Sequence, residues 1–136
     1  MLTCSVAVWL LTTSPKSPEE LQRDLPSAVD ETGQVAEAVT ENVRPSDFVF
    51  RYGGEEFTVL LPLQYAEDAV VVAERLRAVI EATPCRTAQG PIPMTVSIGV
   101  AYHEAQGTLE QTLQRADERL YIAKQTGRNR VVTGGA

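Results

Sequence analysis

Residues 53–56, Gly-Gly-Glu-Glu, set two acids directly after two glycines inside a stretch that otherwise reads as β-strand. Glycine tolerates positive φ and carries no Cβ, so backbone N–H groups at such a turn can approach a phosphate closely. Carboxylates beside the turn can hold Mg²⁺, a hard cation that prefers oxygen ligands. Gly53, Gly54, Glu55 and Glu56 therefore read as phosphate and metal ligands in one turn. The plain alternative is a type I′ turn followed by solvent-facing acids, and the tetrapeptide alone leaves both open.

The elements that must position this turn follow from hydrophobic periodicity. Residues 5–11 are continuously apolar, as a central strand is. Ser17, Pro18 and Glu20 supply an N-cap, a proline at the first helical position and a capping-box acid, which predicts a short helix over 17–25. A second helix is predicted from Asp30 to Val43, with Val35, Ala38, Val39 and Val43 on one face. Phe48–Tyr52 and Glu56–Leu61 are predicted as the two strands of a hairpin around Gly53-Gly54, closed by Pro62. Ala66–Ala82 carries a helical stripe of Ala69, Val72, Ala73, Leu76, Val79 and Ile80. The stretch TPCRTAQGPIP reads as loop. Met94, Val96, Ile98, Val100 and Tyr102 alternate with smaller residues along the clearest strand. Thr108 and Gln111 form a capping box opening a helix to about Thr126, with Leu109, Leu113, Ala116, Leu120 and Ala123 inward and Gly127 as its stop. A short strand over Arg130–Val132 ends the pattern. The order β-α-α-β-β-α-β-α-β describes an α/β domain with a mixed sheet.

At 136 residues the chain is read as a single domain over 1–136, and its 43% apolar and 22% charged content suffices to build a core. A net charge of −6 argues against broad nucleic-acid binding, which needs a basic face. It leaves room for a small anionic ligand held by a few local cations. Cys4, Cys85 and the single His103 cannot assemble a Cys/His zinc site. The cysteines are read as reduced thiols of a cytoplasmic protein, and His103 as a surface residue. Residues 4–11 are too short to span a membrane, and no basic residue precedes them as in a signal peptide.

Beyond the tetrapeptide, the chain resembles the GGDEF domain family, the diguanylate cyclases of bacterial cyclic di-GMP signalling. The resemblance runs from about Val35 to Val132. It rests on VRPSDFVFRYGGEEFTVLLP, AVVVAERLRAVIEATP, MTVSIGVA and LQRADERLYIAKQTGRNRVV, in that order. It implies a fold like the nucleotidyl cyclase and polymerase palm core. It also implies joining of two GTP molecules into cyclic di-GMP, with Mg²⁺ or Mn²⁺ as cofactor in an active member. Under it, Glu55 binds metal and removes a proton, Glu56 supports the metal, and Gly53 and Gly54 line the phosphates. Lys124 and Arg128 contact the terminal phosphates. The plain alternative for those two is a basic helix C-terminus that satisfies the helix dipole.

Several parts of the family pattern are not written in this chain. The family's opening DxLTGLxNRR-like segment is expected to be missing, and its DxDxFKxxND and GHxxGD stretches have no counterpart. Counting back from Arg44 without gaps, the metal-binding aspartate of the first strand falls at Thr12, a neutral and poor Mg²⁺ ligand. The guanine-reading positions fall at Glu20, whose capping-box role explains it better, and at Val29, next to Asp30. TTSPKSPEE contains no aspartate, so no small slip restores the pattern.

A second family site is intact in sequence. Arg44-Pro45-Ser46-Asp47 matches the RxxD inhibitory site, which binds a stacked pair of cyclic di-GMP molecules, and Arg75 matches an arginine that completes it from a neighbouring helix. The arginine fork suits guanine edges and phosphate, and Asp47 can accept from guanine N–H groups. The plain alternative is a helix-capping Arg44 and a turn at Asp47. The expectation is a family member impaired in catalysis that binds cyclic di-GMP at this site and GTP weakly at the hairpin. A homodimer bridged by ligand goes with it. The alternatives are an active diguanylate cyclase and a non-binding dimerisation or regulatory module.

Overall fold

The computed structural model describes residues 5–15, 34–35, 37–43, 47–51, 56–63, 67–88, 90–104 and 106–133. The helix expected over 17–25, Arg44, and the hairpin tip with Gly53, Gly54 and Glu55 lie outside them, as do Cys4, Glu20, Val29, Asp30 and Tyr52. The elements in chain order are strand β1 (Ser5–Pro15), helix α1 (helical residues 34, 35 and 37–42), β2 (Phe48–Arg51) and β3 (Glu56–Leu63). Then come α2 (Glu67–Ala82), β4 (Cys85–Thr87), β5 (Gly90–Ile92), β6 (Met94–Tyr102), α3 (Leu109–Gln125) and β7 (Val131–Thr133).

Five strands form one sheet in the order β2-β3-β1-β6-β7. The apolar run of β1 takes the centre, antiparallel to β3 and to β6, while β6 and β7 are parallel. The hairpin expected from sequence is present, with β2 antiparallel to β3 and Phe48 opposite Leu60.

Helices cover both faces. On one, Val35 and Val39 of α1 and Ala69, Ala73, Leu76 and Ile80 of α2 pack with Phe57, Val59 and Leu61 of β3 and with Val96, Ile98 and Val100 of β6. Phe57 and Leu76 are fully buried, and each such side chain contributes about 1.5–3 kcal/mol by leaving water. On the other face α3 lies over β6, with Ala116 against Ala101 and with Leu60 and Leu113 beside them.

β6 is buried on both sides, although its sequence alternates apolar with small residues. The small side is what admits α3. A Cβ on Gly99 would overlap the carbonyl oxygen of Ala116 and the amide nitrogen of Leu120, so only glycine permits this helix–strand distance. Arg119 Nη1 donates to the Val100 carbonyl at 2.6 Å and Arg115 Nη2 to that of Tyr102 at 2.7 Å, which fastens α3 along β6.

The capping box of α3 is as expected: Thr108 Oγ1 accepts from Gln111 N at 3.2 Å, and Gln111 Oε1 accepts from Thr108 N at 3.0 Å. Four expectations need correction. Leu109 was placed on the inward face of α3 but is exposed, and Thr112 is buried instead. Thr112 bonds His103 Nδ1 at 3.0 Å, so the first turn faces a polar pair rather than the core, and His103 is half-buried rather than a surface residue. Pro62 does not close β3, which runs on to Leu63 with Pro62 opposite Val6. β2 begins opposite Leu60, so the β3 residues after Leu60 face no second partner strand among the described residues, and a proline is tolerated there. TPCRTAQGPIP is not all loop. β4 and β5 pair antiparallel across a tight turn with Gly90 at φ +109°, and they anchor Cys85 and Ile92 in the core.

Candidate functional site

The register of the sheet assembles a row that no local stretch of sequence contains. Thr12 on β1 stands opposite Glu56 on β3 and opposite Ser97 on β6. Glu56 is the first residue of β3, where the hairpin tip rejoins the sheet, and it is half-buried. Gly99, two residues after Ser97, sits under α3, so Ser97 and Glu56 belong to the face α3 covers. From the last turn of α3, Lys124 Nζ reaches Glu56 Oε1 at 4.0 Å. Both side chains keep solvent access, 29% and 47%, so this pair is weak as a stabilising element. It nonetheless brings one expected phosphate ligand beside one expected carboxylate.

The turn after α3 carries Arg128. Three consecutive residues are left-handed: Gly127 at φ 127°, Arg128 at 61° and Asn129 at 47°. Gly127 stops the helix as expected, and the Arg128 amide returns to the Ala123 carbonyl at 2.8 Å. For ordinary L-residues this conformation costs about 1–2 kcal/mol each, with asparagine the least averse. The turn is held by several contacts to Asn129. Its amide donates to Ser97 Oγ at 3.1 Å, its Oδ1 accepts from Arg77 Nη1 at 3.0 Å, and its Nδ2 donates to Glu81 Oε2. Ser97, Arg77, Glu81 and Asn129 had no assigned role in the sequence. An asparagine two residues beyond a helix-stopping glycine, and an Arg–Glu pair four apart on one helix, are the signals that could have found them.

Mg²⁺ needs several oxygen ligands in a tight octahedral arrangement. The described part of the row provides one carboxylate, Glu56, already facing Lys124, with a threonine in the neighbouring register position. Among the described residues no group of three acidic, histidine or cysteine side chains converges on a cation position. These donors do not by themselves fit a Mg²⁺ cage.

A second site lies at the other end of the hairpin and on the other face. A cavity of about 230 Å³ opens between the end of α1, the start of β2 and the outer side of α2. Asp47, Arg75, Asn42, Asp68, Val71 and the buried Leu61 line it. The expected pair Asp47 and Arg75 thus meets in one concavity, although 28 positions separate them in sequence (75 − 47). Arg75 Nη2 donates to the Asn42 carbonyl at 3.0 Å, so the guanidinium is held on the C-terminal end of α1. Asp68, a second carboxylate at this rim, was not singled out from sequence. From Glu56 to Leu61 is five residues, roughly 17 Å of strand.

A family model described as diguanylate cyclase, GGDEF domain, matches residues 32–130. Diguanylate cyclase DosC of Escherichia coli (strain K12) is 44% identical over 99 residues, 72% of this chain and 22% of that protein. The response regulator PleD of Caulobacter vibrioides (strain NA1000 / CB15N) is 44% identical over 97 residues, 69% of this chain and 21% of that protein. The chain therefore spans about a fifth of the length of these relatives. The GGDEF domain of PA1120 (YfiN or TpbB) from Pseudomonas aeruginosa superposes with a TM-score of 0.85 at 28% identity, over 98% of this chain and 84% of that one. The GGDEF domain of DgcB from Caulobacter crescentus, solved in complex with c-di-GMP, gives a TM-score of 0.86 at 24% identity, over 96% of this chain and 78% of that one. At that identity the likeness speaks for the fold alone.

Proposed function

The chain belongs to the GGDEF diguanylate cyclase family of cyclic di-GMP signalling, and from that premise we propose that it binds cyclic di-GMP rather than making it. The observation that carries this reading is the cavity shared by Asp47 and Arg75. A carboxylate there can accept from guanine N–H groups while the guanidinium pairs with phosphate or a guanine edge. Arg44, three residues before Asp47, would complete the site. The ligand carries two such faces, so a stacked pair could bridge two copies of the domain. At the opposite end, Thr12 beside Glu56 leaves the row short of a carboxylate. Loss of one metal ligand in phosphoryl transfer removes orders of magnitude of rate. Gly53, Gly54, Lys124 and Arg128 would still cradle a triphosphate, so GTP binds weakly and is poorly distinguished from ATP.

The test is calorimetry with cyclic di-GMP beside chromatography of the products from GTP with Mg²⁺ or Mn²⁺. Binding at micromolar affinity, weakened about 10- to 150-fold by Arg44→Ala through loss of a charge-assisted contact, is expected, with no cyclic product. Absence of heat at high micromolar ligand would overturn the receptor reading and favour a dimerisation or regulatory module. A second reading, a working cyclase, draws on the approach of Lys124 to Glu56. Steady cyclic di-GMP production that disappears in Glu55→Ala would establish it.

A further inference from the structure

Asn129 makes most of the side-chain contacts that tie the turn carrying Arg128 to α2 and β6. Asn129 uses its main-chain N–H and both polar atoms of its side chain, on three different partners. Ser97 Oγ, which accepts from the Asn129 amide, is fully buried and stands in the row with Thr12 and Glu56. Arg77 and Glu81, which grip the side chain, lie on the last turns of α2. Arg77 is itself braced, with Nε on Glu74 Oε2 at 3.0 Å and Nη1 also 3.6 Å from Glu81 Oε1. Glu74, Arg77, Glu81 and Asn129 therefore form one connected polar network from α2 to the turn. It supports two non-glycine residues in the left-handed region, Arg128 and Asn129, beside the backbone bond from the Arg128 amide to Ala123. Strain kept in place by this many contacts marks a turn whose exact course matters.

We infer that Asn129, clamped by Arg77 and Glu81 and seated on Ser97, is a positioning residue that sets Arg128 against the terminal phosphates of a bound nucleoside triphosphate. This rests on the reading of Lys124 and Arg128 as phosphate ligands given above. Asn129 touches no phosphate in this scheme. It acts by removing the freedom of the turn, so that the Arg128 guanidinium needs little further ordering when the anion arrives. The clamp also joins the phosphate turn to α2, the helix whose middle carries Arg75 at the second site.

The test compares binding of GTP and GMP, with Mg²⁺, to the wild-type chain, Arg128→Ala, Asn129→Gly, Arg77→Met and the double variant Asn129→Gly/Arg128→Ala. Glycine keeps the left-handed backbone accessible, so Asn129→Gly removes the clamp without adding strain. Methionine keeps most of the buried stem of Arg77. Asn129→Gly should weaken GTP about tenfold and Arg77→Met about threefold, with GMP unchanged in both. Asn129→Gly should add nothing in the Arg128→Ala background. A general loss of fold would weaken GMP equally, which overturns the proposal for that variant's residue, and Arg77→Met provides the independent check. GTP binding that survives both clamp variants but fails in Arg128→Ala overturns the clamp and leaves the phosphate reading standing. So does a loss that adds in full to that of Arg128→Ala. If Arg128→Ala itself binds GTP as wild type does, or wild type binds GTP no better than GMP, the phosphate reading fails and the clamp with it.

Discussion

The two ends of the β2–β3 hairpin are built on opposite plans. At the Asp47 end, the ligand-facing groups come from two helices and a strand start, and they rim an open cavity with a guanidinium already held in place. At the Glu56 end, a sheet row, a helix end and a clamped turn converge, and the row pairs Glu56 with Thr12. Under the proposed function, the first end is where the ligand binds. The second has a strained and well-braced turn beside it, and under the same proposal it is short of one metal ligand. The architecture around the Glu56 end serves the fold whatever its chemistry, because the same helix and turn contacts pack α3 and α2 against the sheet.

The largest expected effect separates the two ends by damaging one helix. Gly99→Ala forces α3 away from β6, because its Cβ would meet backbone atoms that no side-chain rotation can clear. We expect a stability loss of about 3 kcal/mol, at the upper end of the overpacking range. GTP binding should weaken while cyclic di-GMP binding persists in the folded fraction. Thermal melts with and without each ligand check this, and equal loss of both ligands would show that the two ends are not independent.

Arg75→Ala comes next. It should cost about 1.5–3 kcal/mol of cyclic di-GMP affinity through loss of a charge-assisted bond, and leave GTP binding unchanged. The same calorimetry reads both, and an unaltered cyclic di-GMP isotherm would remove Arg75 from that site.

Thr12→Asp gives the smallest change and the sharpest view of the incomplete row. Two like charges opposite each other across β1 and β3 should lower stability by about 0.2–1 kcal/mol in the absence of divalent cations. Mn²⁺ or Mg²⁺ should restore that loss in the variant and leave the wild-type melting temperature unmoved. A wild-type chain stabilised by millimolar metal as strongly as the variant would show that Thr12 leaves no gap.

Much of this was legible along the chain. The stripes of α2, the capping box of Thr108 and Gln111, the stop at Gly127 and the antiparallel pairing of β2 with β3 are local patterns, each set by backbone conformation or a 3.6- or 2-residue period. Patterns failed where a neighbour overrode them. Pro62 and Gly90-Pro91 read as breaks because proline cannot donate, yet edge positions accept it. Leu109 fits the apolar stripe of α3 but is exposed, while Thr112 is the buried residue of that first turn, bonded to His103.

The sequence by itself determined the order of the sheet strands and of the helices α2 and α3, the capped start and glycine stop of α3, and the identity of the groups able to do chemistry, since those depend on near neighbours. Only the tertiary structure decided which groups meet. Strand register, a property of hydrogen-bond pairing between distant segments, put Thr12 between Glu56 and Ser97. Helix packing, set by the missing Cβ at Gly99, brought Lys124 to Glu56. The fold of α2 against the sheet closed Arg77 and Glu81 on Asn129, 48 residues beyond Glu81. Such long-range pairings carry no local signature, because any of these residues would be equally at home on a solvated surface until the sheet and its helices bring their partners within reach.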